Sequence, residues 1–323
     1  MWKQILRNSF ELPEQLPSSL GIDKAEIEKV SRVYPMRVNP YYFGLIEDKN
    51  DPIYRQCIPD AAELEDLDGP EDPLAEEADS PVPGLVHRYP DRVLFLVSNE
   101  CAMYCRFCTR KRKVGRQDSC YPRVTEDTIS QGLRYIAEHE EVRDVLLSGG
   151  DPLLLSDERL DAILSRLRAF PHVEIIRIGS RVPVTLPQRV TPSLCRTLQR
   201  HHPLFMNTHF NHPREVTEES KRACVMLADH GIPMGNQSVL LHGVNDDPLV
   251  MRELYQKLLR IRVKPYYLFQ ADLTRGTKHF RTDVAKGLEI IEACAAGLPA
   301  LPCPSTLSMH PTAAARYPCC LST

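Results

Sequence analysis

Arg92-Val93-Leu94-Phe95-Leu96-Val97-Ser98-Asn99-Glu100-Cys101-Ala102-Met103-Tyr104-Cys105-Arg106-Phe107-Cys108 is the stretch on which the reading of the whole chain turns. Its first half is an apolar run of strand length, flanked by polar residues. Its second half sets three cysteines in a C-x3-C-x2-C spacing directly after that strand. Three thiolates on one tight loop can ligate three irons of a four-iron, four-sulfur cubane and leave the fourth iron open to a small chelating ligand. A fully ligated electron-transfer cluster would want a fourth cysteine close by, as ferredoxin spacings provide. The next cysteine is Cys120, outside the loop. A structural zinc is a second reading of the spacing, although zinc usually takes four ligands in paired short spacings. Unligated thiols are a third.

Outward from this stretch, short apolar runs alternate with helical patterns. Strands are predicted over 93–97, 144–147, 173–178, 205–210, 233–241 and 263–269. Helices are predicted over 126–140, 157–170, 192–201, 216–230, 247–260 and 284–293. Six such units predict an α/β fold, a partial (β/α)6 parallel barrel that need not close. Its chemistry belongs at the C-terminal ends of the strands. The cysteines fall there, and so does Leu147-Ser148-Gly149-Gly150-Asp151-Pro152 after the next strand. Adjacent glycines let a ligand approach the backbone, and an aspartate can accept from an ammonium group. Gly-Gly-Asp-Pro is also an ordinary turn.

The chain of 323 residues is 42% hydrophobic and 26% charged, enough to bury one large core or two modest ones. A formal charge of −3 gives no global reason to expect nucleic acid or an anionic membrane as partner. The first residues carry no long apolar stretch, so neither a signal peptide nor a membrane span is predicted and the expected location is the cytoplasm. Eleven cysteines, three of them within eight residues, suit metal or redox chemistry better than a disulfide framework. The scattered ones, such as Cys57, Cys120, Cys195 and Cys224, read as small buried hydrophobes. Residues 1–58 read as a helical N-terminal extension. Residues 59–86 read as a linker and approach segment; between Pro59 and Asp79 stand ten acidic residues, three prolines and no base, which predicts a solvated stretch. The barrel is assigned to 87–293, and 294–323 to a tail without periodicity.

The chain resembles the lysine 2,3-aminomutase family of radical S-adenosylmethionine enzymes over nearly all of its length. The resemblance rests on residues 80–92 (Ser-Pro-Val-Pro-Gly-Leu-Val-His-Arg-Tyr-Pro-Asp-Arg), the cysteine loop with Thr109-Arg110-Lys111-Arg112, and three later segments. These are 207–213 (Asn-Thr-His-Phe-Asn-His-Pro), 236–241 (Asn-Gln-Ser-Val-Leu-Leu) and 272–282. It implies a [4Fe-4S] cluster on Cys101, Cys105 and Cys108, and S-adenosyl-L-methionine bound near Ser148, Gly149, Gly150, Asp151, His209 and Gln237. A lone histidine is more often satisfied locally, so His209 enters on the resemblance. It further implies pyridoxal 5'-phosphate held by Arg88, Tyr89 and Arg92. Arg110 would pair with the substrate carboxylate, a task that suits a planar guanidinium. Asp272 would face the distal ammonium of lysine, whereas a glutamate-specific relative should avoid a second carboxylate there.

The activity implied is movement of the 2-amino group of L-lysine to C3 through a 5'-deoxyadenosyl radical and a pyridoxal phosphate aldimine, with a reducing electron donor as partner. A protein lysine, as in elongation factor P, is an alternative substrate, and a non-catalytic cluster-binding remnant is an alternative role. A homo-oligomer is expected from the resemblance alone. The chain departs from the family after residue 292, because it has no counterpart of Asp-Ala-Pro-Gly-Gly-Gly-Gly-Lys, whose lysine would form the Schiff base. The tail is read as translated out of frame. Codons for 309–318 read one base earlier permit Asp-Ala-Pro-Asn-Gly-Gly-Gly-Lys-Ile-Pro, with the lysine at Arg316. A natural divergent tail is the other reading.

Overall fold

A computed structural model describes residues 1–17, 21–115, 123–295, 305–308 and 317–318. Five short helices open the chain: α1 (Trp2–Arg7), α2 (Lys24–Val33), α3 (Pro40–Phe43), α4 (Pro52–Cys57) and α5 (Ala62–Glu65). An antiparallel hairpin of β1 (Leu85–Tyr89) and β2 (Arg92–Ser98) then starts the sheet. From β2 the chain alternates as expected through α6 (Glu126–Glu138), β3 (Asp144–Gly149), α7 (Asp157–Arg168) and β4 (Ile175–Gly179). It continues through the short α8 (Val182–Thr185), α9 (Pro192–Gln199), β5 (Leu204–Thr208), α10 (Glu218–Asp229), β6 (Met234–Leu240), α11 (Pro248–Arg260), β7 (Val263–Gln270) and α12 (Val284–Ala295). Side chains at the N-caps start many of these helices: Thr125, Ser156, Thr191, Thr217 and Asp247 each accept from a free backbone N–H of the first turn.

All six predicted strands and six predicted helices are present. Two short strands extend the sheet beyond them, β8 (Ser305–Ser308), parallel to β7, and β9 (Tyr317–Pro318), antiparallel to β8. The tail lacks periodicity in its sequence, and these strands are compatible with that, because backbone pairing with an exposed strand edge does not require side-chain periodicity. The rest of the proposed out-of-frame tail lies outside the described residues. The strand order is sequential from β1 to β9, so seven strands, β2 to β8, run parallel in an open barrel.

Register divides the strand residues between two faces. Phe95, Leu147, Ile178 and Met206 are neighbours across the sheet and fully buried. Phe95 packs against Gly132 of α6, so this face looks outward to the helices. The alternate residues line the concave face in two registered rows, Leu94, Leu146, Arg177 and Phe205, then Gly179, Asn207, Gly235 and Lys264. That face is only partly buried, and Arg177, Asn207 and Lys264 share it with Leu94, Leu146 and Phe205.

The N-terminal helices share the barrel's core. Ile27, Met36, Val38, Tyr42 and Ile53 belong to one contiguous apolar cluster with Phe95, Leu147 and Ile178. The expectation of a solvated acidic linker is also corrected. Glu63, Asp66 and Glu76 are almost completely buried. Glu63 meets Arg106 and Lys111, each at 2.6 Å. Asp66 accepts from the backbone N–H of Thr277 and Lys278, and Glu76 and Glu77 meet Arg110, Arg112 and Lys113. A run of acids looks like solvated chain when read alone, but Glu63, Glu76 and Glu77 find a run of bases about 40 residues further on and form a strap over it, while Asp66 reaches the segment after β7. Among the described residues, no helix is long and apolar enough to cross a membrane. Cys57, Cys195 and Cys224 are buried free thiols, as expected, and Cys120 lies outside the described residues.

Candidate functional site

The cysteine loop leaves the end of β2 and is held by backbone bonds to the N-terminal helices. Tyr104 donates its N–H to the Arg37 carbonyl at 2.9 Å and Arg106 to the Gln56 carbonyl at 3.0 Å. Asn39 donates its side-chain amide to the carbonyls of Ala102 and Thr185. Cys101, Cys105 and Cys108 are free thiols of intermediate exposure. Burial pushes the Cys101 thiol up, and so do Asp151 and the two neighbouring cysteines. Burial and Cys105 push Cys108 up in the same way. Without metal these groups therefore hold their protons, and a metal must displace them to bind.

Two of the sulfurs already face donors: the Arg110 backbone N–H reaches Cys108 Sγ at 3.3 Å, and Arg181 Nη1 reaches Cys105 Sγ at 2.8 Å. Such donors suit thiolate ligands. Among the described residues no three His, Cys, Asp or Glu side chains converge on one point as a single metal ion requires. Three thiols on one tight loop, two of them facing N–H donors, fit a cubane in which each thiolate would bind its own iron.

The Ser148-Gly149-Gly150-Asp151 turn lies beside this loop, and its residues have a different task from the one their types suggested. Gly149 adopts φ +126°, and a side chain there would strike the Ser98 carbonyl; at Gly150 it would strike that of Glu100. The glycines are needed for the turn to lie against the start of the cysteine loop, before any ligand is considered. Asp151 is buried, and its carboxylate accepts from Leu153 N–H, Ser180 Oγ, Arg181 N–H and Val182 N–H at 2.7–3.1 Å. It is a clamp between the ends of β3 and β4 rather than an acceptor facing a ligand. Burial pushes its carboxyl up to about 6 against the pull of Ser180 and those backbone donors.

Arg110 offers one edge of its guanidinium, Nε and Nη2, to Glu76 and turns Nη1 toward Ser148 Oγ at 3.4 Å. Burial opposes the charge on Glu76, but Arg110, Lys113 and Arg112 outweigh it and hold the carboxyl down at about 2. A cavity of about 250 Å³, lined in part by Ser98, Arg110, Lys113, Gly149 and Gly150, opens here. His209, past β5, rests its ring 5.5 Å from Phe107 and places Nε2 at 3.1 Å from Asn211 Oδ1. Burial first, and then Arg181, hold its imidazole down at about 3, so it is neutral. Gln237 is half-buried on β6, beside Tyr267, and Asp272 follows the end of β7.

Arg88, Tyr89 and Arg92 stand apart from these residues. They flank the β1–β2 turn, at the opposite end of β2 from the cysteines and roughly 20 Å away along the strand. Arg92 lies 4.8 Å over the Tyr89 ring, while Arg88 is paired with Asp79 at 2.6 Å and also bonds the Leu74 carbonyl. Sequence reading missed Arg181, Glu215, Glu76 and Gln56. No spacing marks them; the sole available signal was Arg181's place just past a parallel strand.

The Radical SAM superfamily profile matches residues 95–254. L-lysine 2,3-aminomutase of Clostridium subterminale is 54% identical over 300 residues, covering 90% of this chain and 71% of that protein. L-lysine 2,3-aminomutase of Methanococcus maripaludis is 55% identical over 302 residues, covering 90% and 69%. Glutamate 2,3-aminomutase of Clostridioides difficile is 50% identical over 272 residues, covering 84% and 64%. Among solved structures, SuiB of Streptococcus suis bound to S-adenosylmethionine superposes with a TM-score of 0.52 at 12% identity, covering 69% of this chain and 51% of that one, a likeness of fold. Identity above one half to two lysine aminomutases, along nine-tenths of the sequence and on this fold, means that the chain belongs to the lysine 2,3-aminomutase family of radical S-adenosylmethionine enzymes.

Proposed function

We propose that this chain acts on free L-lysine, moving its 2-amino group to C3. The observation that carries the proposal is the cavity lined by Arg110, Gly149 and Gly150 at the C-terminal ends of β2 and β3, directly beside the three-thiol loop. Enzymes of this family use a [4Fe-4S] cluster, S-adenosylmethionine and pyridoxal phosphate, which supply the initiating radical and a carrier for the nitrogen. Cys101, Cys105 and Cys108 would hold the cluster. The cavity walled by Ser98, Gly149 and Gly150 would receive the S-adenosylmethionine, and the family resemblance adds neutral His209, past β5, and Gln237 on β6, neither of which lines that cavity.

Arg110 would bind the lysine carboxylate through Nη1, with Glu76 fixing the other edge of the guanidinium. Asp272 would hold the distal ammonium, a contact that favours lysine over glutamate because a second carboxylate would be repelled. Phe107, Leu241, Val244 and Phe280 form a small apolar cluster that helps keep water out beside the cysteines.

For pyridoxal phosphate the fit is partial. Arg92 is nearly half-exposed and stacked on Tyr89 but paired with Asp91 at 3.1 Å, and the Arg88 fork is engaged by Asp79, so a phosphate would have to displace a carboxylate at either arginine. The out-of-frame reading would put the family's Schiff-base lysine at position 316, where this sequence has Arg316. Borohydride treatment of the loaded chain is therefore expected to leave the cofactor removable, and turnover is expected to be slow.

The test is anaerobic reconstitution with iron and sulfide, followed by S-adenosylmethionine, pyridoxal phosphate, dithionite and lysine labelled with 15N at C2. Labelled β-lysine with 5'-deoxyadenosine supports the reading. Conversion of glutamate or of a protein lysine in its place, or no product from a chain whose cluster is loaded, overturns it.

A further inference from the structure

Arg181 has more partners than a structural arginine needs. It stands two residues past β4, where Asp151 Oδ2 accepts its backbone N–H at 2.8 Å and so fixes where the side chain starts. The guanidinium is almost fully buried. Nη2 donates to Glu215 Oε1 at 2.7 Å and Gln56 Oε1 at 2.5 Å, and Nε donates to the His209 carbonyl at 3.1 Å. Phe107 and Tyr42 flank the group at 5.2 and 5.6 Å. Glu215 is itself held by Tyr42 Oη and by the backbone N–H groups of Asn211 and His212. A buried Arg–Glu pair with good hydrogen bonds explains Nη2 and Nε. It does not explain Nη1, which points at Cys105 Sγ from 2.8 Å.

We propose that Arg181 is a positioning residue for the iron–sulfur cluster, whose Nη1–H donates to Cys105 Sγ and raises the cluster's reduction potential. The inference rests on the reading that Cys101, Cys105 and Cys108 carry the cluster. A donor and a positive charge beside a ligand sulfur stabilise the more negative, reduced cluster relative to the oxidised one. Glu215 partly offsets the charge, so the hydrogen bond and the orientation of the pair carry the effect. The electron comes from an external one-electron donor, and no bond is made or broken at Arg181. The same guanidinium joins the N-terminal helices, through Gln56 and Tyr42, to the ends of β4 and β5, so the helices contribute to the cluster's surroundings as well as to the core.

The test is a redox titration of the full chain reconstituted with iron and sulfide, followed by electron paramagnetic resonance of the reduced cluster. Iron content and thermal melting are measured alongside. In Arg181→Gln the ratio of reduced to oxidised cluster at a fixed applied potential is expected to fall about tenfold, about 59 mV for a one-electron couple. Glu215→Gln should shift the ratio the other way, because the guanidinium then acts without its counter-charge. An Arg181→Gln protein that loads its cluster and keeps the parent ratio overturns the inference. If that variant does not load, the sign in Glu215→Gln decides: a rise supports the inference, and no change or a fall overturns it. The unaltered protein gives an independent reading. With arginine labelled by 15N in the guanidino group, a hyperfine coupling to the reduced cluster is expected, and its absence overturns the inference. A parent chain that binds no cluster at all overturns the underlying assignment as well; an unmoved ratio in a loaded variant overturns this inference alone.

Discussion

The cysteine loop meets charge on two sides, and the two sides are built differently. On the strap side, Glu63, Glu76 and Glu77 answer Arg106 and residues 110–113, one run of acids against one run of bases. Some of these contacts are closed to water and others are not: Glu63 has no exposed side-chain surface, while Glu77 is 39% exposed. On the barrel side, a single cation, Arg181, is shared among Cys105, Glu215, Gln56 and the His209 carbonyl. The strap distributes its grip over pairs of unequal value, whereas the barrel side concentrates it in one group whose partners come from three separate parts of the chain. The comparison teaches that burial, more than the number of pairs, decides which charges hold this loop.

Glu63→Gln should do the most damage. It leaves Arg106 and Lys111 buried with no carboxylate, and a cost of about 3–5 kcal/mol in urea unfolding is expected. A loss under 1 kcal/mol would break the comparison, since it would put the most buried strap pair on a level with a surface pair. Glu76 comes next. Its carboxyl is held at about 2 against an ordinary value of 4.5, so the unfolded chain binds more protons between those two values. The stability it contributes is present above pH 4.5 and is lost as pH falls toward about 2. Glu76→Gln should cost roughly 1.5–3 kcal/mol at pH 7 and flatten the pH dependence in that window. An unaltered acid titration would assign the acid sensitivity to other groups.

Arg110→Lys sharpens the comparison at the level of function. Lysine keeps the charge but cannot serve Glu76 and a substrate carboxylate from two edges at once. A fall of about tenfold in kcat/KM for lysine is expected, about 1.4 kcal/mol of transition-state stabilisation. Unchanged kcat/KM would remove Arg110 from substrate binding. The smallest effect is expected at the exposed end of the strap: Glu77→Gln should change stability by less than about 1 kcal/mol, and less still in high salt.

Much of the architecture was legible in local sequence. The run 93–97 and its five successors read as strands because their outward faces must be apolar against the helices, and Phe95, Leu147, Ile178 and Met206 are buried accordingly. The cysteine loop was legible because its chemistry is packed into eight residues. The strap was misread because composition registers ten acids but not the bases they face, and Glu63 is 43 residues before Arg106. The Gly149–Gly150 pair was legible as a close approach but not as an approach of backbone to backbone. Asp151 looked like a ligand contact, and only its four donors from the ends of β3 and β4 reveal a clamp.

The sequence by itself determined the alternation of strands and helices, the three-thiol loop and the family to which they point, because each depends on residues close together along the chain. The tertiary structure decided which charges are buried and which arginine faces a sulfur. These depend on contacts between segments tens to more than a hundred residues apart, and in a low-dielectric interior it is the partner brought across that distance that sets what a charge does.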